Sequence, residues 1–131
     1  MATVLTNAGQ AICAGRMLGA TPSQAEPKNI GIGSGAGTAA VADTTLFTEY
    51  TTGTWAGYAR TANAGTQVTT TNTNDTAQWV GTFTAGAAQT VTNAGNFDAA
   101  SVGNLLVKGD FTGVALANGD SIQVTIKLKF A

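Results

Sequence analysis

Seven carboxylates are spread through the 131 residues: Glu26, Asp43, Glu49, Asp75, Asp98, Asp110 and Asp120. Two of them flanking a groove would suffice for glycoside hydrolysis, one as acid and the other as base or nucleophile. Most, however, fall in segments of turn composition, where Asp is expected because it bonds its own backbone. Asp98, Asp110 and Asp120 suggest a calcium site at one end of a sandwich, yet no Asp-x-Asp-x-Asp run supports it. Histidine is absent and Cys13 is the one cysteine. The commonest general base, the usual metal ligand and any internal disulfide are thereby missing, and no serine has a base ready to activate it. Cys13 reads as a small buried thiol beside an apolar helix stripe. Trp55, Tyr58 and Trp79 read as core residues, with sugar-ring binding as the sharper alternative. Arg60 is expected to form a structural ion pair with Asp43 or Glu49, anchoring the loop that carries them.

The glycine-rich run Gly33-Ser-Gly-Ala-Gly37 has the look of a phosphate cradle. It lacks the Gly-Lys-Ser/Thr ending of a P-loop and the helix and distal acid of a dinucleotide fingerprint, so it reads as a flexible loop. Charged residues make up 10% of the chain and the net charge is −1. With no basic run there is nothing to neutralise phosphates, and nucleic-acid binding is not expected. No apolar run approaches the roughly 18 residues of a membrane span, and no signal peptide is read. No cofactor, metal or small-molecule substrate is expected. With 44% hydrophobic residues the chain can bury a core, while so low a charge suits a protein fixed in an assembly.

These residues are positioned by elements that alternate in kind. Asn7 to Leu18 predicts a short helix, with Asn7 as its cap, Gln10 completing a capping-box-like start and Gly19 ending it. Its apolar stripe runs through Ala8, Ala11, Ile12, Gly15 and Leu18, and packs on a sheet or on a neighbouring subunit. Gly9 and Gly15 weaken it. Thr21 to Lys28, with both prolines, reads as a loop. Ile30-Gly-Ile32-Gly reads as a strand, 33–42 as a loop, and Asp43 to Glu49 as a single capped turn pinned by Leu46 and Phe47. Gly57 to Ala62 predicts a strand carrying Arg60. Ala64 to Thr73 predicts a polar edge strand or an exposed arm.

From Thr76 onward the period is two. Ala77, Trp79, Gly81 and Phe83 share one face of a strand, and Gln89 to Phe97 follows, its Gly95 marking a bulge or a close backbone approach. Asn104 to Phe111 is the next strand. Asn118-Gly119 then turns the chain into Ser121 to Phe130, whose Ile122, Val124, Ile126, Leu128 and Phe130 all face inward. Five such side chains, at roughly 1.5–3 kcal/mol each when buried, would make this strand a main stabiliser. The fold class expected is mainly β: an antiparallel β-sandwich, jelly-roll-like, with one short N-terminal helix. Residues 1–131 read as one domain, an arm and helix at 1–19 and a β-rich core at 29–131.

Several pieces, in order, carry a resemblance. They are Leu5-Thr-Asn-Ala-Gly9 before the helix, Asn29-Ile-Gly-Ile-Gly33 with its loop, Asp43-Thr-Thr-Leu46 with Glu49, and Arg60. Then follow Trp79-Val-Gly-Thr-Phe83, Val91-Thr-Asn-Ala-Gly95-Asn-Phe97, Leu105-Leu-Val-Lys108 and Gly119-Asp-Ser-Ile-Gln-Val-Thr125. With these the chain resembles small β-rich virion proteins of tailed bacteriophages, both capsid decoration (cement) proteins and tail-fibre-like modules. The resemblance implies a structural role without enzyme activity, a homotrimer, the major capsid protein as partner and the outer capsid surface as location. A chain without a long shaft or a separate tip favours decoration over a complete tail fibre; a tail-fibre or tail-tip module binding the host surface is the alternative. The contact segments expected are the N-terminal arm with Thr3, Val4 and Leu5, the loop with Gly35, Ala36, Gly37 and Thr38, and the polar segment with Thr69, Thr70 and Thr71.

Overall fold

The computed structural model describes residues 1–19 and 24–130. Among them run β1 (Ala2–Leu5), α1 (Asn7–Met17), β2 (Asn29–Gly33), β3 (Thr61–Ala62), β4 (Thr66–Val68), β5 (Thr76–Thr84), β6 (Gln89–Phe97), β7 (Leu105–Leu116) and β8 (Ser121–Lys129). Every pairing is antiparallel. Five strands form one sheet in the order β1-β7-β6-β2-β3, and three form the other, β4-β5-β8. The fold is the expected mainly β sandwich with one short helix. Its main core joins Ile30, Ile32, Val91, Leu106 and Val107 of the large sheet to Trp79, Phe83 and Ile126 of the small one. Leu46 closes a second, smaller cluster with Phe97 and Leu105. Of the prolines, Pro22 lies outside the described residues.

Alternation places β5 as its sequence demands: Trp79, Gly81 and Phe83 are buried and Thr82 and Thr84 exposed. Strand β6 departs from regular pairing twice, between Val91 and Asn93 and between Gly95 and Phe97. At Gly95 a Cβ would stand 2.7 Å from the Val107 carbonyl, so bulge and close approach occur together. Strand β7 runs five residues past the expected end at Phe111, because its second half pairs with the start of β6, Leu116 opposite Gln89.

Four expectations need correction. The helix cap is Thr6, not Asn7: the Thr6 hydroxyl accepts from the Gly9 N–H at 3.0 Å. Gly9 is required rather than merely tolerated, since a Cβ there would meet the Leu106 carbonyl at 2.4 Å where the helix rests on β7. The strand expected at 57–62 shrinks to the two residues of β3, because Gly57 sits at φ +72 and the Tyr58 N–H donates to the Trp55 carbonyl in a turn. Arg60 therefore leaves from the irregular segment between that turn and β3. Finally, of the inward row on β8 only Ile126 is buried; Ile122, Val124 and Leu128 are half-buried and Phe130 is 66% exposed. Strand β8 is the edge of its sheet, and the core does not extend under its far end.

Candidate functional site

The stretch from Ser34 to Arg60 carries Asp43, Glu49, Tyr58 and Arg60, and the large sheet fixes it at several points. Chain reversal begins where Ser34 and Gly35 donate their N–H groups to the Thr48 and Phe47 carbonyls, at 3.0 and 2.9 Å. The alternation Ile30-Gly-Ile32-Gly then acquires its reason. The two isoleucines enter the core, fully buried. A Cβ on Gly31 would stand 2.8 Å from Glu49 Oε1, and one on Gly33 2.5 Å from the Phe47 carbonyl. The glycines leave room for the returning chain, not for a ligand. Gly35 and Gly37 do the same against Thr48 and the Phe47 ring, at 2.7 Å each. The run expected to be flexible is an ordered cover.

Asn93, fully buried on β6, reads the backbone of Phe47 from both sides: the Phe47 N–H donates to Oδ1 and Nδ2 donates to the Phe47 carbonyl, each at 3.0 Å. Lys108 is 1% exposed. A buried ammonium needs full compensation. It donates to Asp43 Oδ2 at 2.9 Å and to the Thr45 carbonyl at 2.8 Å, and lies 3.2 Å from the centre of the Phe47 ring. The ammonium beside Asp43 holds its carboxyl below the usual carboxylate range, helped by the Ala40 N–H. Further along, Asp110 accepts from the Ala39 N–H at 2.7 Å, and the Asn7 N–H donates to the Val41 carbonyl at 2.8 Å.

Arg60 finds Glu49. The contact is bidentate, Nε to Oε1 and Nη2 to Oε2, both 2.7 Å. Nη1 donates to the Ala99 and Val102 carbonyls at 3.0 and 2.8 Å, and the guanidinium lies 3.5 Å from the Phe97 ring centre. Val102 is a β-branched residue at φ +56, a strained backbone held in part by this bond. The Tyr58 hydroxyl donates to Glu49 and accepts from the Ile32 N–H. Burial first, and then Glu49, pushes that hydroxyl far above its ordinary range. Asp43 takes no part here; its cation is Lys108.

The residues expected to contact partners fall in two places. Thr3, Val4 and Leu5 lie on β1, an edge of the large sheet, with Leu5 leaning on the core. Gly35, Ala36, Gly37 and Thr38 are near them, since Ala39 is bonded to Asp110 and Asp110 pairs with Ala2. Thr69, Thr70 and Thr71 sit apart, after β4 on the small sheet. There Asp75 accepts from the Thr70, Thr71 and Asn72 N–H groups, 2.9 Å each. Those donors hold its carboxyl well below the usual range.

Trp55 and Trp79 are buried, 3% and 7% exposed. Trp55 packs edge-on against Tyr50 and Phe83, and Tyr58 stacks on Phe83 at 6.0 Å. These rings belong to the core, not to a sugar platform. The turn acids serve the backbone: Asp98 accepts from the Asn104 N–H and Asp120 from the Ala117 N–H. Among the described residues no three carboxylate or thiol side chains gather as a metal site would require. A mainly apolar groove of about 310 Å³ opens between α1 and the small sheet, lined by Cys13, Met17, Trp79, Leu128 and Phe130 among others. Cys13 is half-buried there, and burial raises its pKa, the opposite of an activated thiolate.

Sequence reasoning missed Lys108, Asn93 and Asn96. Asn96 spans the second β6 irregularity, accepting from the Val107 N–H and donating to the Pro27 carbonyl. The available signal was a run, Val91 to Phe97, in which two asparagines interrupt an otherwise apolar, small-residue strand.

Residues 12–128 match the model of a family described as "Podophage GP4 fiber I protein gp80". No curated protein matches the chain.

Proposed function

The chain belongs to the podophage GP4 fiber I family and is a phage structural protein of fibre-like kind; on that premise we propose that it is an architectural module of a podophage fibre. It would hold a shape and join neighbours, with no substrate to transform. The family match over most of the chain is the observation that carries this reading, and it moves the preference from the capsid to the fibre. Two structural observations agree with it. The charged side chains of the 34–60 stretch are spent on structure, Asp43 on Lys108 and Glu49 on Arg60, and no buried side-chain nitrogen or oxygen among the described residues lacks a partner. Of the aromatic rings that could have met a host glycan, Trp55 and Trp79 are buried and Tyr58 is half-buried against Phe83, so we assign the module a joining role rather than a sugar-reading one.

Contacts to neighbouring virion subunits would then use the β1 edge with the adjacent 35–38 loop and, separately, the Thr69–Thr71 turn. Antibody labelling of intact particles, with copy number from quantitative mass spectrometry, tests the reading. Few copies, confined to the fibres, are expected. Hundreds of copies spread over the head would instead return the chain to capsid decoration, with the major capsid protein as its partner on the outer capsid surface.

A further inference from the structure

The cations that lack a carboxylate partner gather round one groove. The chain has six Lys and Arg residues. Among the described residues Arg60 pairs with Glu49 and Lys108 with Asp43. The other four, Arg16, Lys28, Lys127 and Lys129, are exposed and meet no described carboxylate. Arg16 makes one long bond, 3.4 Å, to the Gln24 carbonyl. It lines the apolar groove between α1 and the small sheet. Lys28 follows the lining residue Pro27, and Lys127 and Lys129 flank the lining residue Leu128. The two lysines leave β8 on the face away from Leu128, but β8 is an edge strand, and a flexible four-carbon stem can carry an ammonium round such an edge. Apolar surface is left open at the same place. Met17, Leu18 and Phe130 are exposed, and Met17 and Phe130 line the groove with Cys13 and Trp79. The one carboxylate in the lining, Glu26, is already engaged: it accepts from the Gly65 N–H at 2.6 Å and from the Trp79 indole N–H at 3.2 Å. An apolar slot inside a charged rim is the anatomy of a protein docking site.

We propose that this groove receives an acidic segment of a different virion polypeptide. An apolar side chain of that segment enters between Met17, Trp79, Leu128 and Phe130, and Asp or Glu residues beside it meet Arg16, Lys28, Lys127 and Lys129. Charge complementarity sets the sign of the partner. The chain's own acids argue against a second copy as the occupant. All seven carboxylates already accept a hydrogen bond within the chain: Glu26 from Gly65, Asp43 from Lys108, Glu49 from Arg60, Asp75 from Thr70, Asp98 from Asn104, Asp110 from Ala39 and Asp120 from Ala117. Another copy therefore brings no uncommitted acidic side chain to the rim. The inference rests on the chain being a structural protein of the virion, and not on its place in the fibre.

Zero-length carbodiimide crosslinking of intact particles, read by peptide mass spectrometry, tests it. Lys28, Lys127 or Lys129 is expected to join an Asp or Glu of a second virion protein. Cys13 supplies the other readout, because its thiol lines the groove. Iodoacetamide should label it about tenfold more slowly in the particle than in the isolated chain. Lys127→Glu combined with Lys129→Glu changes two exposed side chains, so the chain keeps its circular dichroism spectrum. This double variant is expected to lose either its place in the particle or its Cys13 protection. A Cys13 that reacts equally fast in both settings, lysine crosslinks that reach no second polypeptide, or a double variant that keeps both place and protection overturns the proposal. So does binding of the isolated chain to phosphatidylglycerol vesicles that shields Cys13, which would assign the groove to a lipid surface. Antibody labelling spread over the head would overturn the fibre reading alone and leave these outcomes as they stand.

Discussion

Single side chains decide how the 34–60 cover stays on the sheet. Arg60 is the clearest case, because every nitrogen of its guanidinium is engaged. Arg60→Ala leaves the Glu49 carboxylate without its cation and frees the strained Val102 turn. Chemical denaturation should show a loss of about 3 kcal/mol, the cost of breaking a largely buried pair; a change too small to resolve would mean that solvent replaces the guanidinium freely. Acid sensitivity belongs to the same scale. The Asp43 and Asp75 carboxyls titrate lower in the folded chain than the ordinary 3.8. A depressed folded pKa contributes stability above the unfolded value, which is lost as pH falls through the folded one. Urea midpoints should therefore hold from neutral pH to about pH 5 and fall steadily below about pH 4, and Asp43→Asn should flatten that fall. Little of this was legible beforehand. Lys108 and Asp43 are 65 residues apart, and no local pattern announces such a pair. The Arg60 ion pair was visible as a type of interaction, while the choice between Asp43 and Glu49 required the fold.

At the scale of elements, the two glycines of α1 make a controlled comparison. By helix propensity alone, alanine at either would help by about 1 kcal/mol. Gly15 has nothing within 4 Å of an added Cβ, whereas Gly9 would drive one into the Leu106 carbonyl. Gly15→Ala should raise stability by about 0.5–1 kcal/mol, and Gly9→Ala should lower it by about 2 kcal/mol as the helix lifts from β7. Thermal melts of the two variants check the sign of each, and equal shifts would refute the close approach. Strands β5, β6 and β8 were legible because a period of two is local, and the turn at Gly119 because its φ of +90 needs a residue without a side chain. Strand β1 was not: four residues carry too little pattern, and its partner strand lies near the other end of the chain. The depth of β8 was misjudged for a related reason. Alternation says which way a residue points, and strand order decides whether anything lies beneath it.

For the whole molecule, the two sheets share their main core, with Trp79 of the small sheet in the same cluster as Val91, Leu106 and Val107 of the large one. They should lose structure together. Far-UV circular dichroism and tryptophan fluorescence, reporting strands and core, should give coincident thermal transitions; an earlier fluorescence transition would show the small sheet coming away first. The pairing of Ala2 with Asp110 carries a last consequence, one of timing. During synthesis the first strand emerges more than a hundred residues before its hydrogen-bonding partner, and α1 is made long before the β7 surface on which Gly9 rests. Closing so wide a loop has to precede the contacts that reward it. The large sheet is therefore completed only after β7 has been made, so β1 and α1 wait for a partner that follows them by more than a hundred residues and are locked in place late.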